Sequence, residues 1–112
     1  MEEITNSQIN KNIGKIFQRY RMKNFLTQEQ LADKLCKSSK TISQIETGKD
    51  GTSKKTDIEY MNLFGITPNV LYKDFVTNPD VVRKIELSER INSLSSQKID
   101  AVMKIIDVID KL

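Results

Sequence analysis

Apolar residues along this chain recur at helical rather than strand spacing. Ile9, Ile13, Ile16, Phe17 and Tyr20 fall at i, i+4, i+7, i+8 and i+11, one stripe of an amphipathic helix ending near Lys23. Residues 1–8 carry no periodicity and are expected to fray. Thr27 stands three residues before Gln30, a capping box in which the threonine side chain takes the Gln30 amide while Gln30 reaches back. The second helix that starts there runs through Leu31, Ala32 and Leu35 to around Cys36, about two and a half turns. Ser38 or Ser39 caps a third short helix, with Ile42 and Ile45 turned inward and Thr47-Gly48 marking its end.

After the polar stretch Lys49 to Lys55, Thr56 or Asp57 begins a fourth helix with Ile58, Met61 and Phe64 on one face and Gly65 as its stop. Thr67-Pro68 reads as an N-cap with proline in the first turn, opening a brief fifth helix that sends Val70, Leu71 and Phe75 to the core. Asn78-Pro79-Asp80 starts a sixth, carrying Val81, Val82 and Ile85 and expected to weaken or break at Leu87-Ser88. Ser93, Ser95 and Ser96 interrupt the chain before a wide apolar stripe over Gln97 to Leu112: Ile99, Val102, Met103, Ile106, Ile109 and Leu112, broadened by Ile105 and Val108. There is no internal repeat and no β-like alternation. The pattern predicts an all-α chain, with a compact five-helix domain over residues 9–75 and a C-terminal helical segment over 78–112.

Composition narrows the chemistry. The chain has 112 residues, 38% hydrophobic and 29% charged, which suits one small domain with an appendage that folds in water. It has no histidine and one cysteine, Cys36, which excludes a His-based triad, a His/Cys zinc site, a haem histidine and an intrachain disulfide. Glu86 and Glu89 lie at i, i+3 on a charged helix face, ordinarily a solvated arrangement, so the chain does not read as an enzyme and calls for no cofactor or metal. It has no positively charged, then apolar, N-terminal run and no 18-residue apolar stretch, and its last helix lacks a basic face. A cytoplasmic, reducing setting without a membrane role is expected.

Net charge is only +3, but it is uneven. Lys11 to Lys55 holds eleven basic and four acidic residues, whereas Val76 to Leu112 holds six of each. Scattered lysines are most often a solvated surface, so position has to decide whether these meet a polyanion. Residues 28–47 supply that position. Leu31, Leu35, Ile42 and Ile45 point inward, and Ala32 is small where two helices cross steeply. The outer face of the second helix of this pair is left free of core duties; it carries Ser39, Lys40, Ser43 and Gln44, with Thr41 beside them. Lys40 can donate to guanine O6/N7, Gln44 can pair with adenine N6/N7, and the Thr41 methyl can lie against thymine. The helix N-termini at Thr27 and Ser38 offer amide donors to phosphates.

These segments resemble the helix-turn-helix domains of phage Cro and lambda-type repressors, the XRE-type regulators. The likeness covers roughly Ile9 to Tyr72 and rests on TQEQLA (Thr27 to Ala32), S-x-x-TIS-x-IE-x-GK (Ser38 to Lys49) and FGITPNVLY (Phe64 to Tyr72). The resemblance implies a lambda-repressor-like fold that binds double-stranded DNA with its third helix in the major groove. By it, Ser39, Lys40, Thr41 and Gln44 reach base edges, while Gln28 contacts a phosphate and braces the recognition helix. Thr27, Ser38 and Ser43 are further phosphate contacts, and Lys49, Lys54 and Lys55 match the loop along the sugar-phosphate chain. Arg21 and Glu46 match a partly buried structural ion pair. The sequence also departs from the pattern. Cys36 replaces the usual turn glycine, reads as a small half-buried residue and has no resolving cysteine. Lys37 replaces a small aliphatic, residues 50–55 lack the common proline, and Asp57 stands where the family is often apolar, so helix four is expected to begin a turn late.

One helix-turn-helix reads few base pairs, so a homodimer on a palindromic operator is expected, joined through Ile99, Val102, Met103, Ile106, Ile109 and Leu112; the alternative for that helix is to fold back on the DNA-binding domain. The leading expectation is a repressor. The alternative is an antitoxin-like module whose C-terminal helices cover a partner protein.

Overall fold

The computed structural model describes residues 3–112. Seven α-helices and no strand occur among them: α1 (Asn6–Lys23), α2 (Gln28–Leu35), α3 (Ser39–Thr47), α4 (Lys54–Phe64), α5 (Pro68–Tyr72) with a 3-10 turn over Lys73–Phe75, α6 (Pro79–Asn92) and α7 (Ser96–Asp110). The chain divides after Phe75 into two compact units. Among the described residues no helix is long and apolar enough to cross a membrane.

Short polar signals start the helices of the first unit. Thr27 accepts from the Gln30 amide at 3.1 Å while its own amide donates to Gln30 Oε1 at 2.9 Å. The same reciprocal box joins Thr5 and Gln8 at 3.1 and 2.9 Å, so α1 begins at Asn6 and residues 6–8 do not fray. Ser38, not Ser39, caps α3. Ser53 caps α4 by taking the Thr56 amide, so α4 starts earlier than Thr56 or Asp57 rather than a turn late, and Lys54 and Lys55 belong to its first turn instead of a loop. Thr67 has the extended backbone of a cap and Pro68 follows, yet its hydroxyl makes no capping bond and is buried without a partner.

Phe17, Leu31, Ile42, Tyr60 and Leu71 are fully enclosed at the centre, with Ile13, Ile16, Ala32, Leu35, Ile45 and Ile66 around them. The inward face of α4 is rotated from the one the apolar pattern suggests. Thr56, Asp57 and Tyr60 are buried, Met61 and Phe64 are half-buried, and Ile58 is exposed. Two contacts set that rotation. The Tyr60 ring stacks on Phe17 with centroids 3.8 Å apart and planes 8° from parallel. The Asp57 carboxylate accepts from the Thr52 hydroxyl and, at 3.3 Å, from the Tyr72 hydroxyl, tying the loop before α4 to α5.

Gly14 lets α1 and α3 touch backbone to backbone: a Cβ there would stand 2.3 Å from the Ile45 carbonyl oxygen and 2.8 Å from that of Glu46. Gly48 ends α3 at φ 72°, and a Cβ on it would meet the Lys11 backbone at 2.6 Å.

In the second unit, α6 runs unbroken through Ser88. One serine among Glu86, Leu87, Glu89 and Arg90 costs a helix only about half a kcal/mol, too little to interrupt it. Asn78 caps α6 and Ser95 caps α7. No residue of either helix is buried. Leu87, Ile91, Leu94, Val102, Ile106 and Ile109 line a groove of about 590 Å³ between them.

Candidate nucleic-acid interface

The α2–α3 pair is anchored from beneath by Leu31, Ala32 and Leu35 on one helix and Ile42 and Ile45 on the other. Its turn closes when the Lys37 amide donates to the Ala32 carbonyl at 2.9 Å and the Cys36 amide to Asp33 at 3.3 Å. Closing it places Cys36 at φ 55°, the left-handed region that glycine adopts most easily. The cysteine is exposed, not half-buried, because the left-handed turn directs its side chain away from the core. Lys37 reaches Glu59 at 3.5 Å and so ties the turn to α4, which gives a long basic side chain a use where a small aliphatic is common.

Arg21 orients α3 from the side. Its Nε and Nη2 donate to Glu46 at 2.8 and 2.9 Å while Nη1 donates to the Leu26 carbonyl at 2.8 Å. The Glu46 side chain is only 2% exposed, and its hydrogen bond is the leading cause holding the guanidinium pKa above its ordinary value. Gln28 donates to the same carboxylate at 3.3 Å, so its bracing is internal, from α2 to α3.

With α3 held on its inner side, Ser39 and Lys40 are exposed and Thr41, Ser43 and Gln44 are half-exposed. Ser38 and Thr41 hydroxyls share a 2.9 Å hydrogen bond and are used by the cap. Among the described residues, the side chains of Ser39, Lys40, Ser43 and Gln44 make no hydrogen bond or ion pair within the chain. Donors and acceptors on a rigid helix, unspent inside the molecule, suit the edges of bases. Thr27 is exposed at the start of α2, its hydroxyl engaged in the capping box. Lys49 is exposed just past α3, and Lys54 and Lys55 are exposed in the first turn of α4.

Sequence reasoning did not single out Gly14, Tyr60, the Lys37–Glu59 pair or Phe25. A lone glycine inside an amphipathic run was the available signal for Gly14. Phe25 lies between α1 and α2 at φ 57° and is 93% exposed, a turn geometry that side-chain periodicity does not report.

A family model described as Helix-turn-helix matches residues 17–71. No curated protein and no solved structure matches the chain.

Proposed function

Taking as premise that residues 17–71 belong to the XRE-type helix-turn-helix family, and that the chain is a DNA-binding transcription regulator, we propose that it is a dimeric repressor. It occupies a palindromic operator with one α3 in the major groove of each half-site. The observation that carries the reading is the outward edge of α3, whose Ser39, Lys40 and Gln44 side chains are uncommitted inside the chain while Ile42 and Ile45 fix the helix from below. Lys40, Thr41, Ser39 and Gln44 read bases. Ser43, Lys49, Lys54, Lys55 and the helix N-termini that Thr27 and Ser38 cap, with the Gln28 amide in the first turn of α2, hold phosphates. Occlusion of a promoter needs no catalytic group.

Selection of bound duplexes from a random pool tests this reading directly: two inverted half-sites about one helical turn apart are expected. On the selected site, Lys40→Ala and Gln44→Ala should each cost about 1–3 kcal/mol and relax base preference, while Lys49→Ala should weaken all duplexes alike. Equal losses for all three variants on operator and random DNA would refute base reading by α3.

The second protomer is proposed to bind through α7 and the residues just past its end, with Ile99, Val102, Met103, Ile106, Ile109 and Leu112 as its contact. Met103, Ile106 and Ile109 are exposed in the single chain and Leu112 is fully so, a contiguous apolar face rarely left in water. That same face supports a second reading, an antitoxin-like module in which α6 and α7 cover a different protein. Sedimentation of the purified chain separates the two: a concentration-dependent homodimer favours the first, a persistent monomer the second.

A further inference from the structure

The surface of α1 turned towards α5 carries charges that the DNA-reading face does not use. Lys15, Arg19 and Lys23 recur every four residues and all are exposed. Like charges at that spacing repel one another along a helix, and only Lys23, in the last turn of α1, is offset by the helix dipole. Lys15, Arg19 and Lys23 line a cavity of about 220 Å³ between α1 and the α5 segment, together with Asn12, Tyr20 and Lys73. Asp74 is the acidic residue of this lining. At the same place the Asn12 amide nitrogen is buried with no hydrogen-bond partner, a donor whose desolvation nothing in the chain offsets.

From this juxtaposition of three helix-spaced cations and an unspent buried amide donor, we propose that the cavity between α1 and α5 binds a compact polyanion, one that presents two or more phosphate or carboxylate groups. The cavity equals about seven water volumes, room for a pyrophosphate or a tricarboxylate but not for a duplex. Arg19 pairs with one anionic group and Lys15 and Lys23 with its neighbours, while Asn12, whose amide nitrogen is closed off in the free chain, turns its N–H to the anion on binding. Tyr20, whose ring lies 5.4 Å from Lys23 Nζ, fixes that lysine over the cavity. The site does not depend on the operator reading: Gly14, on a different side of α1, faces α3.

Titration of the full chain with inorganic pyrophosphate and with citrate, read by calorimetry and thermal unfolding, tests the proposal, with a random-sequence duplex as competitor. One-to-one saturable binding to either anion and a rise in Tm are expected, and the tighter of the two identifies phosphate or carboxylate as the source chemistry. Arg19→Gln, a surface change, should lower affinity about tenfold. Asn12→Leu should act with opposite signs, raising the Tm of the free protein by removing the unpartnered donor while weakening the anion. Binding that fails to saturate, that is indifferent to both substitutions, or that the duplex displaces without any effect of Asn12→Leu overturns the proposal.

Discussion

Tyr60 brings a phenol into the centre of the domain with no partner for its hydroxyl. Burial is the main cause raising its pKa well above the ordinary value, Glu46 adds to it and Arg21 opposes it. Tyr72 is also raised, by burial and then by Asp57. Both tyrosines hold their protons more tightly folded than unfolded. Their contribution is complete below about pH 10 and falls as the unfolded chain ionises above it. The tyrosine-linked part of the urea midpoint should hold between pH 8 and about 9 and decline from about pH 10 upward, and Tyr60→Phe should flatten that decline. Because Phe retains the stack on Phe17 and removes an unsatisfied polar atom, the same variant should be about 1 kcal/mol more stable at pH 7. Arg21→Ala should behave in the opposite way, costing about 3–5 kcal/mol because it strands Glu46 in the interior. Phe25 and Cys36 hold left-handed backbone without glycine and are exposed, so Phe25→Gly or Cys36→Gly should stabilise by about 0.5–1 kcal/mol in equilibrium unfolding. At this scale the sequence was only partly legible. Ile42 and Ile45 announce themselves by spacing, but Asp57 is buried because Thr52 and Tyr72 happen to meet it, and neither lies on its helix.

Helix α4 shows why elements are easier to find than to orient. Its existence follows from composition and its stop at Gly65, yet its start was obscured by a polar run in which Ser53 is one of several plausible caps. Its rotation then depends on where Phe17 and Tyr72 wait for it, which is tertiary information. By contrast α2 was readable almost to the residue, since the Thr27 box, the Leu31–Leu35 stripe and the end at Cys36 are all local. Helix α1 was readable except at its beginning, where the Thr5–Gln8 box repeats the signal that locates α2. The contact between α1 and α3 allows a sharp test. Gly14→Ala places a methyl where the Ile45 carbonyl oxygen stands, so the helices must part, at a cost of about 1–3 kcal/mol or more in urea unfolding. Operator affinity should drop with it, because Glu46 and the outward edge of α3 ride on the same short helix.

At the level of the whole molecule, the first unit carries the basic surplus and an enclosed core, whereas the second is charge-balanced and has no buried residue. An apolar stripe in the sequence signals that something must cover α7, but not what, because a core and an interface are written with the same residues. If a second copy covers it, Ile106→Asp with Ile109→Asp should give a monomer in sedimentation while leaving the first unit's unfolding transition in place. Half-site affinity should persist and full-operator affinity should fall. Salt offers an independent measure: if Lys49, Lys54 and Lys55 neutralise phosphates as proposed, replacing each with alanine should lower the slope of log affinity against log salt by about 0.9.

The Ser39, Lys40 and Gln44 side chains that face outward from α3 make no bond that holds the helix where it is. If Ser39, Lys40 and Gln44 read bases as proposed, recognition and foldedness are separable in this chain: the three can be rewritten to address another base sequence while melting behaviour stays where it was.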